Sequence, residues 1–396
     1  MAKKLRIDWF MFAIAAGLAL FGAVMVYSAS AMISLKETAD NPEGATQFTY
    51  FFKQFSFTLA GLAVMYATSR ISYHRYQNKT VVYGLLMVTA ILLVAVFGFP
   101  AINGARRWIR FPGMSFQPSE IAKIVLPIFL AYFLTKNEKL VTDFKETLMP
   151  CAGVLAGFCG LILFEPDLGT VIVLATVFIV VYFAAGARIL HILPAIASCI
   201  VVGALALIVS PYRRERVLAF LNPWENADKS AYQVVQGLYA IGSGGILGEG
   251  FAQGQQKLFY LPYPYSDFIF AVVGEELGLI GTLAVVIAFV LLLWRGTRAA
   301  LNAPDRFGTL LGIGIITGLI TQALFNISVV ISILPAKGIP LPFISYGGSS
   351  IVLTLFAVGI LLNISQHSGF REIKTDESET MPTRKKRGRM TKARAV

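Results

Sequence analysis

The feature that most constrains this chain is a succession of ten apolar runs, at residues 9–29, 51–68, 80–98, 118–135, 147–165, 168–186, 189–209, 268–294, 307–330 and 347–365. Each is close to the ~20 residues that a helix needs to cross the hydrocarbon of a bilayer. Composition agrees. Hydrophobic residues make up 56% of the chain, charged residues 14%, and mean hydropathy is +0.68, whereas a soluble domain carries about a quarter of its residues as charge. The fold expected is all-α and polytopic, with about ten transmembrane helices over residues 1–366. Residues 367–396 read as a basic, disordered tail.

The formal net charge is +12, a balance that can signal nucleic acid. Here the excess sits largely in short loops and in the tail, RKKRGRMTKAR at 384–394, which is the positive-inside pattern of a membrane protein. A nucleic-acid partner is therefore not expected; anionic lipid or a cytoplasmic partner suits the tail. With the N-terminus inside, an even number of spans puts both termini in the cytoplasm. The largest non-membrane segment, 210–267, then lies on the outer face. Two basic clusters break the rule on that face: Arg106, Arg107 and Arg110, and Arg213, Arg214 and Arg216. An anionic substrate gives such clusters a reason. Cys151, Cys159 and Cys199 fall in apolar runs, and His74, His191 and His367 lie far apart, so neither disulfide nor metal spacing is present. The first run is long enough to span and lacks a cleavage site, so no cleavable signal peptide is expected.

Chemistry concentrates in Gln253–Gly281, QGQQKLFYLPYPYSDFIFAVVGEELGLIG. A proline-broken aromatic approach delivers Asp267 to the mouth of an apolar run. Partial desolvation raises a carboxyl toward working pH, as a general base requires; the alternative is an N-cap for the eighth span. Glu275 and Glu276 sit inside the run, where charge is costly, and read as packing or partner ligands. Arg106 and Arg107, beside Trp108, suit phosphate oxygens or lipid headgroups. Glu120 and Lys123 share a helix face at i, i+3 and either satisfy each other or line a wet cavity. Asp167 can cap the sixth span through the Thr170 amide. Lys337 is the one charge in LPAKGIPLPFISYGGSS (334–350), and reaches either a diphosphate or headgroups. Glycines 242, 244, 245, 248, 250 and 254 permit tight turns near a ligand, and Val234–Ile241 reads as a short helix lying on the membrane. Pro127, Pro150 and Pro194 predict kinks.

Together these stretches resemble the SEDS family (shape, elongation, division and sporulation), ten-span peptidoglycan glycosyltransferases. The resemblance rests on MVYSASA (25–31), GARRWI (104–109), FQPSEIAK (116–123), PDLGT (166–170), YRRERVLAFLNPW (212–224), YQVVQGLYAIGSGGILGEG (232–250), SDFIFAVVGEELGLIG and LPAKGIPLPFISYGGSS, in family order. LPAKG and YRRERVLAFLNPW lean toward the division branch rather than the elongation branch. The family usually has an acid at 263 and a histidine at 265, where this chain has tyrosines; Ser266, Gly237 and Phe259 also depart from it. The resemblance implies lipid II as substrate, Asp267 as the catalytic base, and substrate binding by Arg106, Arg107, Glu120, Lys123, Arg213, Lys337 and Ser345. A divalent cation, Mg or Mn, is a further candidate. It implies partners in a class B penicillin-binding protein (a transpeptidase) and other division-complex membrane proteins, at the septum of a bacterial cytoplasmic membrane. The rival readings are a lipid II flippase and a scaffold without activity.

Overall fold

The computed structural model describes residues 7–40, 46–101, 104–111, 114–188, 211–227, 231–258 and 260–367, with isolated positions between 190 and 208. The seventh predicted span (189–209) lies largely outside the described residues, together with Pro194 and Cys199; so do the tail from 368 and the side chain of Arg213. The described helices are α1 (Trp9–Asp40), α2 (Thr49–Arg70), α3 (Lys79–Ala95), α4 (Pro118–Lys136), α5 (Met149–Phe164), α6 (Leu168–Ala184), α7 (Pro211–Leu221), α8 (Tyr232–Gly244), α9 (Ile269–Leu301), α10 (Arg306–Val330) and α11 (Gly348–His367). All of them except α7 and α8 fall on predicted apolar runs. Among the described residues, seven helical stretches are long and apolar enough to cross a bilayer. The protein is a multi-pass helical membrane protein.

Local signals place several helix starts. Asn78 caps α3 by accepting from the Thr80 amide at 2.9 Å. Asp167 caps α6 through the Thr170 amide at 3.1 Å, as the sequence predicts. Pro150 falls in the first turn of α5, directly after a π-turn at Phe144–Leu148, so it begins the regular helix instead of kinking it. Pro127 does lie inside α4. Gly314 on α10 makes room for its ring, since a Cβ at 314 would sit 2.7 Å from Pro127 Cβ.

Between α3 and α4 a short hairpin pairs Ile109–Phe111 with Met114–Phe116, Arg110 opposite Ser115. Helices α4, α10 and α11 carry the most buried surfaces. Small residues bring backbones together, as is usual between membrane helices: a Cβ at Gly359 of α11 would stand 2.7 Å from the Met65 carbonyl of α2.

The eighth predicted span, 268–294, reads as one helix, but α9 is broken at Gly278, where φ is 64° and ψ −159°. A break in a membrane helix frees backbone groups that must find partners. The glycine-rich segment after α8 supplies them. Glu249 and Gly250 amides donate to the Glu275 and Glu276 carbonyls at 2.9 and 3.0 Å, and the Leu279 amide donates to Gly245 at 2.9 Å. Gly248 is required by this contact, because a Cβ there would lie 2.2 Å from the Glu276 carbonyl oxygen. These glycines therefore fit the break in α9. The α8 helix likewise docks on α9, with Gly237 against the Phe268 ring and Gly244 against the Gly274 carbonyl.

Glu275 and Glu276 are buried packing residues, as expected. Glu275 Oε1 accepts from the Gln255 and Gln256 amides at 2.6 and 2.9 Å. Glu276 Oε1 takes the Lys257 ammonium at 2.6 Å and the Ser28 hydroxyl at 2.5 Å, and its Oε2 accepts from Ala252.

The segment 334–347, between α10 and α11, enters the bundle instead of crossing its surface, and Leu341, Phe343 and Ile344 are buried. Gly22 of α1 abuts the Phe343 carbonyl, Gly169 of α6 faces Ile339, and the Gln54 amide of α2 donates to the Ser345 carbonyl at 3.3 Å. Helices far apart in the chain thus meet on one loop.

Candidate active site

Asp267 stands where the Pro262–Pro264 turn enters α9. Its neighbours are pinned from both sides. The Ser345 hydroxyl donates to the Ser266 carbonyl at 2.6 Å, the Tyr346 amide to the Tyr265 carbonyl at 2.9 Å, and Asn326 Nδ2 to the Asp267 carbonyl at 2.7 Å. The N-cap position of α9 is Phe268, with no side-chain cap, so the capping alternative for Asp267 is not realised. Its carboxylate faces the 334–347 loop instead. A Cβ on Gly338 would be 2.8 Å from Oδ2 and 4.0 Å from Arg107 Nη1. Glycine at 338 keeps that space open.

Burial pushes the Asp267 carboxyl up to about 6, against the opposing pull of the Arg107 and Arg216 guanidiniums; Asp167 adds a smaller upward push. A carboxylate with this value is largely ionised at neutral pH and still basic enough to take a proton.

The predicted cations divide. Arg107 is held by the backbone turn before α6, its Nε donating to the Glu165 carbonyl at 2.9 Å and its Nη2 to the Pro166 carbonyl. This places its charge beside Asp267. Lys337 is half-buried in the loop next to Gly338. Arg106 turns away; it is exposed and donates to the Phe97 carbonyl at 2.9 Å. Arg213 lies in α7, its side chain outside the described residues. In the same helix Arg216 reaches the loop, donating to the Ala336 carbonyl at 3.1 Å. Ser345 commits its hydroxyl to backbone, donating to Ser266 and accepting from the Leu341 amide. That bonding makes it a latch on the loop.

Glu165 is the feature the sequence reading missed most. It is 0% exposed, and neither carboxyl oxygen has a hydrogen-bond partner. Burial, then the nearby Asp167, push this carboxyl up to about 8, with Arg107 pulling the other way. It is therefore largely protonated at pH 7. Asp167 is spoken for by Thr170 and by Gln117 at 3.2 Å.

Glu120 and Lys123 pair at 2.7 Å as the i, i+3 spacing predicts. Glu120 also accepts from Ser350 at 3.0 Å, and Lys123 donates to Gln322 at 2.6 Å. The pair borders a cavity of about 30 Å³ lined also by Gly318, Leu353 and Thr354. Gln322 Nε2 then donates to the Pro340 carbonyl at 2.8 Å, so the pair reaches the Asp267 loop through one amide. Gln322 and Asn326 interrupt an apolar span at i, i+4, a signal that could have found them. A second cavity, about 510 Å³, opens at the other end of α4, by His74 and Lys136, away from this chemistry.

Among the described residues no three His, Cys, Asp or Glu side chains are arranged to hold a metal. Beside Asp267 stand the Arg107 and Arg216 guanidiniums, and the nearby Asp167 carboxylate is taken by Thr170 and Gln117, so the donor set does not fit a protein-held divalent cation.

A family model of cell cycle proteins, built on FtsW, RodA and SpoVE, matches residues 8–369. A probable peptidoglycan glycosyltransferase FtsW of Geobacter metallireducens is 43% identical over 361 residues, covering 91% of this chain and 95% of that protein. Stage V sporulation protein E of Bacillus subtilis is 40% identical over 93% of this chain and 99% of its own length. Among solved structures, a chain of a peptidoglycan synthase complex that coordinates polymerization and crosslinking superposes with a TM-score of 0.70 at 27% identity, covering 91% of this chain and 98% of that one. The rod shape determining protein RodA of Thermus thermophilus gives a TM-score of 0.67 at 26% identity over 92% of this chain and 98% of RodA.

Proposed function

This chain belongs to the family of cell cycle proteins that unites FtsW, RodA and SpoVE, and from that premise we propose that it is a peptidoglycan glycosyltransferase polymerising lipid II into glycan strands during cell division. The observation that carries the chemistry is Asp267, a carboxylate near 6 held in a gap under Gly338 with two arginines beside it. Lipid II is an undecaprenyl diphosphate bearing a disaccharide-pentapeptide. Asp267 takes the proton of the acceptor GlcNAc 4-hydroxyl as that oxygen bonds to the donor MurNAc anomeric carbon. The bond from that carbon to the diphosphate oxygen breaks, and the leaving lipid diphosphate keeps the electron pair. Arg107 and Arg216, with Lys337 from the 334–347 loop, would offset the developing charge. A magnesium or manganese ion, where one takes part, would arrive with the diphosphate. Both substrates are tethered by polyprenyl tails, which suits a site at the mouth of a membrane bundle.

The site faces the outside in this reading, both termini lie in the cytoplasm, and the protein works at the septum of the bacterial cytoplasmic membrane. A class B penicillin-binding protein supplies crosslinking, with other division-complex membrane proteins around it. A reporter after Ala227 reading as cytoplasmic, or failure of such a transpeptidase to co-purify from membranes, would count against this arrangement.

Asp267→Asn tests the base directly. The amide preserves shape, and no α9 cap is lost, so insertion and melting should be unchanged. Without a basic oxygen, polymerisation should fall about 10²–10⁴-fold while lipid II binding persists. In the wild type, turnover should rise with pH through about 6 as the carboxyl ionises. Near-normal glycan synthesis by Asp267→Asn would sink the base assignment and favour transport of lipid II instead.

A further inference from the structure

Gln322 and Asn326 lie one turn apart on α10, 4% and 1% exposed. An amide inside a membrane bundle is costly unless its groups find partners. Asn326 uses both hydrogens of Nδ2, one on the Asp267 carbonyl at 2.7 Å and one on the Ile339 carbonyl at 2.8 Å. Those carbonyls belong to the two segments that face each other across the Asp267 carboxylate. One carries the carboxylate; the other follows Gly338, whose missing Cβ would lie 2.8 Å from Oδ2. A flipped amide would set oxygen against both carbonyl oxygens, so the orientation is dictated by the network. Its Oδ1 is left buried without a partner, a cost that a residue kept only for packing would not carry. Gln322 repeats the arrangement next door, holding Pro340 while it accepts from Lys123.

We infer that Asn326 is a positioning residue for the glycosyl transfer: it sets the distance between Asp267 and the Lys337–Gly338 segment, and with it the depth at which the carboxylate sits. The inference rests on the reading of Asp267 as the base. A single amide bridging two backbone carbonyls can do this where a hydroxyl, with one hydrogen, holds only one. Gln322, one turn away, connects Glu120 and Lys123 to the same loop without requiring either to touch substrate.

The test uses full-length Asn326→Ala and Asn326→Ser with lipid II, measuring kcat and KM across pH, together with amide hydrogen exchange over 266–268 and 336–341. Asn326→Ala should lower kcat about 10²-fold, the scale of a misplaced reacting group, with KM little changed. The acid limb of kcat should move to lower pH, because a carboxylate that gains water is easier to ionise. Exchange should accelerate in both segments, and Asn326→Ser should fall between Ala and wild type. If the Ala variant does not fold, the Ser variant carries the same tests. Wild-type kcat and acid limb would overturn the inference, as would activity lost only in proportion to the yield of folded protein. Faster exchange with unchanged kcat also overturns it; Asp267→Asn assayed alongside tells whether the base reading fell too.

Discussion

Among the described residues, two lysine–glutamate pairs lie inside the membrane domain, and they hold different things together. Lys123 and Glu120 come from one helix, three residues apart, and their third partners are Gln322 and Ser350. Lys257 and Glu276 come from a loop and a broken helix, and Ser28 of α1 joins them. The first pair is 11% and 4% exposed beside a small cavity; the second is 6% and 0% exposed. A pair within one helix closes no loop of chain, since the helix positions both residues. The pair at Lys257 ties α1, the 249–257 segment and the Gly278 break into one unit. One borders the site and the other fastens the fold.

Lys257→Met is the most damaging change expected. It leaves Glu276 buried without its cation, a loss of about 3–5 kcal/mol in soluble precedents, and loosens the segment that satisfies the Gly278 break. Melting of the detergent-solubilised protein should drop steeply. A stable, fully active Lys257→Met would erase the distinction between the pairs.

Lys123→Met should act on turnover more than on folding, because Glu120 keeps the Ser350 hydroxyl and borders the cavity. We expect roughly a 10-fold or greater loss of polymerisation with a smaller fall in melting than Lys257→Met gives. In Glu120→Leu with Lys123→Met, stability should return, as buried pairs can be replaced by apolar residues, while activity should not. Recovered glycan synthesis in that double variant would make the first pair a fold fixture as well.

The smallest effect belongs to Glu165, a buried carboxyl with no hydrogen-bond partner on either oxygen. Its folded value of about 8 exceeds the ordinary 4.5, so the native state holds a proton that the unfolded chain releases between those values. Its contribution to stability is therefore full below 4.5 and lost as pH rises through about 8. Melting should decline from about pH 4.5 to about 8 in the wild type and flatten over that interval in Glu165→Gln. An unchanged decline over that interval in the variant would assign it to another group.

What the sequence by itself determined is what short-range physics decides. Hydropathy over ~20 residues located the membrane helices it could be checked against. A spacing of three joined Glu120 to Lys123 and Asp167 to Thr170, because partners one turn apart need no tertiary help. Prolines and aromatics before Asp267 marked it as the residue to watch. The tertiary structure decided the rest. Gly278 reads as one tolerated glycine in an apolar helix until the 244–250 backbone is seen packed into the break. Nothing in the sequence marks Arg216 within its basic cluster, and only the position of α7 against Ala336 brings it to the loop. Asn326 looks like a stray amide until two carbonyls, 59 and 13 residues away along the chain, meet on its nitrogen. Such contacts join residues distant in sequence, and no local pattern encodes which of them will touch.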